Sequence, residues 1–224
     1  GSVRSCLEIA HETTPVCALR ASTSWSHVLL GSVAVGVVFA LVLGHTSSEL
    51  IGALATEVTK VLTQLRGESQ LSGEELDKLQ VALVPTLTGV MASSLQVTCL
   101  LCLMLARYWQ ASLYNPGGFG REFRSLRLAP AVAVILLLGA VVVPALEVQA
   151  AVLGPLCSVP LIIAGVALGH GLIALKRLAG GWLVGLYLAV LLLGNLICLL
   201  AVVDSLFDFR GRLARRQGST NGEG

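Results

Sequence analysis

The chain is 224 residues long, 55% of them hydrophobic and only 12% charged, with a formal net charge of +2. Average soluble domains carry about 25% charged residues, so the polar surface needed to keep a globule of this length in water is lacking. The small net charge, with basic residues set beside apolar runs rather than among aromatics in a groove, excludes nucleic acid as the expected partner.

A mean hydropathy of +0.83 points instead to an all-α, polytopic transmembrane helix bundle. A hydrocarbon layer about 30 Å thick asks for about 20 apolar residues per crossing, and about five stretches meet or approach that length. Residues 1–24 begin Gly1-Ser2 without a Met and lack the basic, apolar and cleavage regions of a signal peptide. They read as the N-terminal remnant of a longer chain.

The first stretch is Val28–Leu43, led in by Trp25 where an interfacial aromatic is expected. Ser32, Gly36, Ala40 and Gly44 recur at every fourth position along it. Small residues at that spacing let helix backbones approach where lipid offers no hydrophobic drive to associate. Close contacts within one chain are expected before a dimer.

Residues 46–80 differ in kind. Leu50, Leu54, Val58, Val61, Leu62 and Leu65 fall at helical spacing, with Glu57, Lys60, Gln64 and Arg66 on the other faces. Thr46 with Glu49, and Ser72 with Glu75, fit capping boxes, and Gly67 is placed to end the first helix. This predicts an amphipathic helical hairpin, either lying against the bundle or membrane surface or serving as a partner-docking arm. Its second helix is placed to run on into the next span.

The second stretch, Val81–Ala106, ends in Arg107-Tyr108-Trp109, a basic and aromatic belt. Cys99 and Cys102 within it are spaced as a C-x-x-C, but two further ligands for zinc are not near in sequence; no metal is expected. The connection that follows, Arg107 through Arg124, is the most unusual local sequence. Asn115-Pro116-Gly117-Gly118 is a strong turn signal, proline setting φ and glycine supplying φ > 0. Arg107, Tyr108, Trp109, Gln110 and Tyr114 lie before the turn, and Phe119 and Phe123 after it are four apart on one helical face. Glu122 is expected to pair with a neighbouring arginine. The plain reading is an aromatic anchor at the interface; the sharper one is a polar pocket at the membrane surface.

The third stretch is Leu128–Leu146, the fourth about Ala150–Leu175 and the fifth Trp182–Val203, with Asp204 and Asp208 beyond it. Four of the five lack charged residues and histidine, as the cost of charge in hydrocarbon requires. The exception is His170 in the fourth, with Asn195 in the fifth as a possible hydrogen-bonding partner. Gly165 with Gly169, and Gly181, Gly185 and Ala189, repeat the small-residue spacing. Pro85, Pro144, Pro155 and Pro160 are expected to bend or break their helices. The bundle thus spans 25–208, and 209–224 reads as a basic, disordered tail. Lys and Arg divide seven to eight between the two sides of a five-span topology, so charge sets no orientation; the compact arginine cluster of the tail leans towards a cytoplasmic C-terminus.

No catalytic set is expected. His11-Glu12 continues Thr-Thr-Pro rather than to a second histidine, and neither a nucleophile elbow nor a phosphate-binding loop with its lysine occurs. No cofactor is expected, and any energy input would come from another subunit.

The run ARYWQASLYNPGGFGREFRSLRL, residues 106–128, resembles the signature of the YybS-like family of bacterial multi-span membrane proteins. A looser likeness extends from about Leu19 to Val203, through Ser24-Trp25 and Gly169-His170. The resemblance implies a multi-pass protein of the bacterial cytoplasmic (inner) membrane, distantly similar to the substrate-binding membrane subunits of energy-coupling-factor transporters. It thereby implies a small-molecule role and a working part for the 107–124 connection; His170, as an ionisable group inside a span, is a functional candidate on its own chemistry, beside the plain reading of a neutral histidine bonded to a neighbouring helix. The rival expectation is a membrane scaffold that binds another protein through the 46–80 helices.

Overall fold

The computed structural model describes residues 25–66, 73–209 and 211–212. The expectations for residues 1–24, the 67–72 joint with its second capping box, and the tail beyond 212 lie outside these. The described chain is an all-α bundle, and no strand occurs in it. Its helices are α1 (Trp25–Thr46), α2 (Ser48–Arg66), α3 (Gly73–Tyr114), α4 (Gly118–Ser125), α5 (Pro130–Leu137), α6 (Val143–Leu146), α7 (Leu153–Leu175), α8 (Gly181–Leu192) and α9 (Gly194–Phe207). A π-helical turn, Leu138–Val142, joins α5 to α6, and a 3-10 turn, Val148–Val152, leads into α7.

Among the described residues, three helical stretches are long and apolar enough to cross a membrane: Trp25–Thr46, Glu74–Tyr114 and Val148–Leu175. Two further pairs reach that length only when counted together across a bend. Gly118–Ser125 meets Pro130–Leu146 at 65°, and Gly181–Leu192 meets Gly194–Phe207 at 108°. The fifth stretch is therefore not a straight span. Its halves of 12 and 14 residues reach only about 18 and 21 Å at 1.5 Å per residue. The chain leaves the helix at Leu193 (φ −127°, ψ 35°), just before Gly194-Asn195, a pair that costs helix stability and favours turns.

The prolines act unequally. α3 runs unbroken through Pro85 for 42 residues. Around Pro144 the missing donor accompanies a switch of register: Val143 N–H bonds the Leu138 carbonyl five residues back, the geometry of a π turn. The expected cap at Thr46 is absent, because helical bonding passes through the joint. Ser47 N–H donates to Leu43 O at 2.9 Å, Ile51 N–H to Ser47 O at 3.0 Å, and the Thr46 hydroxyl donates back to Val42 O.

α2 is turned from the face its sequence pattern marks. Ile51 and Ala55 are buried, while Leu50, Leu54, Val61 and Leu65 are exposed. One position along a helix is a rotation of about 100°, enough to exchange the two faces. Outward apolar side chains cost little where the surroundings are lipid.

The described residues form two compact units. One comprises 31–102 (less the 67–72 joint) and 135–160. Ala40, Ala92 and Leu156 form its core, with Val37, Phe39 and Val152 packed on them. Three of the four members of the first-span stripe face neighbours in this unit. Ser32 accepts a hydrogen bond from Gln96 Nε2 at 3.0 Å, Ala40 is buried, and a Cβ on Gly36 would come within 2.6 Å of Leu156 Cδ2. Gly44 is different: its nearest neighbour would be Thr88 Cγ2 at 3.9 Å. The closest approach to backbone atoms falls outside the stripes, at Gly89, where a Cβ would lie 2.6 Å from the Val152 carbonyl oxygen.

The other unit comprises 25–30, 103–134 and the described residues from 161 onward. Gly165 packs on Ile197, and Gly169 on Leu186. Gly181 and Gly185 have nothing within 4 Å of where a side chain would begin, so their spacing carries no packing. Asp204 lies within α9 rather than beyond the last span, and it is buried together with Ser205. Arg127 ties this helix end to the segment after α4. Its Nη2 donates to Ser205 O at 2.8 Å and its Nη1 meets Asp208 Oδ1 at 3.0 Å. The Ser26 hydroxyl holds the same segment, donating to Arg127 O and accepting from Ala129 N–H.

Candidate functional site

The connection after α3 is built as its turn signal predicts. Gly117 takes φ +79°, a conformation that costs other residues strain, and Gly118 N–H closes the turn on Asn115 O at 2.9 Å. The turn folds α4 back so that Glu122 faces Arg107 from fifteen residues downstream. Arg107 Nη2 donates to both carboxylate oxygens of Glu122, at 3.1 and 2.9 Å. Its Nη1 donates to Gln110 Oε1 at 2.6 Å. The partner of Glu122 is thus Arg107, not the adjacent Arg121 or Arg124: Arg124 Nε bonds Gly120 O, and Arg121 Nη2 reaches Asn115 Oδ1 at 3.4 Å.

Trp25, at the head of α1, packs inward. It is buried, and its indole N–H donates to Glu122 Oε1 at 2.9 Å. A buried indole needs an acceptor, and the carboxylate supplies one. Glu122 therefore joins α1, α3 and α4.

Arg107, Gln110, Ala111, Tyr114, Asn115, Gly118 and Glu122 line a cleft of about 420 Å³. Polar donors and acceptors of both signs converge on it, within the volume range of small-ligand sites. Trp109 and Pro116 belong to the same stretch but are exposed and outside that lining.

Behind the cleft runs a series of ring contacts. Tyr108 meets Phe119 edge-on at 6.0 Å, and Phe119 stacks on Phe123 at 6.1 Å. Phe123 meets the His170 ring edge-on at 5.5 Å, and His170 meets Tyr187 at 5.7 Å. Two features far apart in sequence, the 107–123 connection and His170, thus share one cluster. His170 Nδ1 lies 2.9 Å from Val166 O; a carbonyl can only accept, so Nδ1 carries the proton. In the neutral ring that leaves the Nε2 lone pair for the Tyr187 hydroxyl, at 3.4 Å. Asn195 is not the partner of His170: it is exposed and makes no side-chain hydrogen bond to it.

Sequence reasoning missed three members: Trp25 as a donor, Tyr187, and the pairing of Glu122 with Arg107. Of the ring contacts, only the i, i+4 spacing of Phe119 and Phe123 was readable. Cys99 and Cys102 are exposed free thiols, and among the described residues no group of three metal-ligating side chains occurs.

The Arg107–Glu122 pair is half open to solvent on the arginine side, where such pairs contribute about 0–1 kcal/mol. Glu122→Gln, which leaves Trp25 an amide oxygen to donate to, is expected to lower stability by about 1 kcal/mol or less, read as the unfolding midpoint in detergent. A loss several times larger would show that the pair is a structural staple. No protein-family model, curated protein or solved structure matches the chain.

Proposed function

We propose that this chain is a multi-pass protein of the bacterial cytoplasmic membrane that binds a small polar solute in the Arg107–Glu122 cleft, as the membrane subunit of a system energised by another component. The observation that carries this reading is the convergence of Arg107, Gln110, Asn115 and Glu122 on one cleft at the end of a 42-residue, largely apolar helix. An ion pair worth so little in solvent is cheaply opened by a ligand that offers the guanidinium or the carboxylate a replacement partner. The ring contacts link the cleft to His170, so a solute that shifts α4 would be felt at an ionisable group on a membrane-crossing helix. The resemblance of residues 106–128 to the YybS-like signature leans the same way.

The test is the thermal stability of the purified protein against a broad panel of small polar metabolites. A ligand-dependent rise is expected by mass action, and it should vanish in Arg107→Ala. No shift across the panel, together with silent Arg107→Ala and His170→Ala variants in cells, would end this reading.

The exposed apolar face of α2 favours a second reading, a scaffold that docks another protein on Leu50, Leu54, Val61 and Leu65. That reading requires a stoichiometric crosslinked partner that is lost when residues 48–66 are deleted.

A further inference from the structure

Gly44 is the one member of the first-span stripe that packs against nothing closely, and the reason is a groove. In the unit formed by 31–102 and 135–160, a cavity of about 420 Å³ is lined by Val37, Leu41 and Gly44 of α1 and Val84 of α3, among others. His45 and Gln149 also line it. Its polarity is graded. His45 stands one residue from the end of α1, and Gln149 sits in the 3-10 turn before α7. Val37 lies eight residues deeper along α1, about 12 Å at the helical rise. Thr88, the other polar lining residue, already spends its hydroxyl on Val84 O at 2.9 Å. The groove is thus apolar along its length and offers hydrogen-bonding groups at one end only.

We infer that this groove holds one acyl chain of a membrane phospholipid, with the ester and phosphate oxygens at the His45 and Gln149 end. The walls belong to the three stretches long and apolar enough to cross a membrane, so lipid is the solvent at its opening. A single hydrocarbon chain fits, and its order of apolar tail then polar ester matches the order of the lining. This inference is independent of the Arg107–Glu122 cleft.

The experiment measures phospholipid phosphorus retained by the full chain after purification in mild detergent, for wild type, Gly44→Leu and Gly31→Leu. Leucine at Gly44 enters the groove, where the first neighbour stands 3.9 Å from its Cβ; leucine at Gly31 on the same helix has nothing within 4 Å. Both changes favour the helix. Wild type and Gly31→Leu are expected to retain about one phospholipid per chain, as for a single pocket, and Gly44→Leu to lose it. Should Gly44→Leu not fold, Val84→Trp fills the groove from the facing wall and reads the same way. A wild type without retained lipid, a groove-filled variant that retains as much as wild type, or equal loss in Gly31→Leu would each overturn the inference.

Discussion

Gly89→Ala is expected to destabilise the protein by about 1–3 kcal/mol, the cost of forcing an extra methyl into a packed interior. The added Cβ would meet the Val152 carbonyl oxygen at 2.6 Å and Val152 Cα at 2.9 Å. Both are backbone atoms, in the 3-10 turn that leads into α7, so no rotamer change can make room. Gly36→Ala meets the free end of a leucine side chain instead, Leu156 Cδ2, and should cost less because that atom can turn away. Gly181→Ala and Gly185→Ala meet open space and should gain up to about 1 kcal/mol from helix propensity alone. Unfolding midpoints in mixed micelles would rank the four. A Gly89→Ala protein as stable as wild type would show that α3 does not approach the Val152 turn so closely.

Arg127→Met is expected to cost about 2 kcal/mol, within the range for hydrogen bonds that involve a charged group. Methionine keeps the apolar stem but strands the Ser205 carbonyl and removes the cation facing Asp208. The full penalty for stripping a partner from a deeply buried pair does not apply, because the two side chains keep 29% and 37% of their exposure. Arg127→Lys should restore only part of the loss, since a single ammonium reproduces a two-pronged fork poorly. The same unfolding measurement, with protease access to the α9 end as a second readout, checks this. Wild-type midpoints in Arg127→Met would sink the claim that this contact anchors α9.

Much of the fold was legible because its cause is local. The scarcity of charge and the length of the apolar runs place helices in the right order. Asn115-Pro116-Gly117-Gly118 names its own turn because only glycine adopts φ +79° at little cost. Gly194-Asn195 carried a readable break signal that the continuous apolarity around it masked. The first-span stripe found real contacts at Ser32, Gly36 and Ala40, whereas the same spacing at Gly181 and Gly185 found none. Small residues permit a close approach; they do not supply the neighbour.

The site was legible only in halves. The Tyr-Asn-Pro-Gly-Gly connection and His170 each stood out, one as a turn and one as a titratable group in an apolar run. That Phe123 touches His170, that Trp25 and Arg107 share Glu122, and that Tyr187 faces the imidazole depends on pairings across 15 to 97 positions. Periodicity reports which face of one helix is apolar. It holds no information on which other helix that face meets, because in lipid apolar side chains are equally content outward or inward. The sequence alone was therefore enough for the helical class, the turn at Gly117 and the near absence of charge within the apolar stretches. Which glycines are tight, which face of α2 is buried and where Glu122 finds its cation were decided by tertiary packing, the only level at which distant side chains compete for the same space.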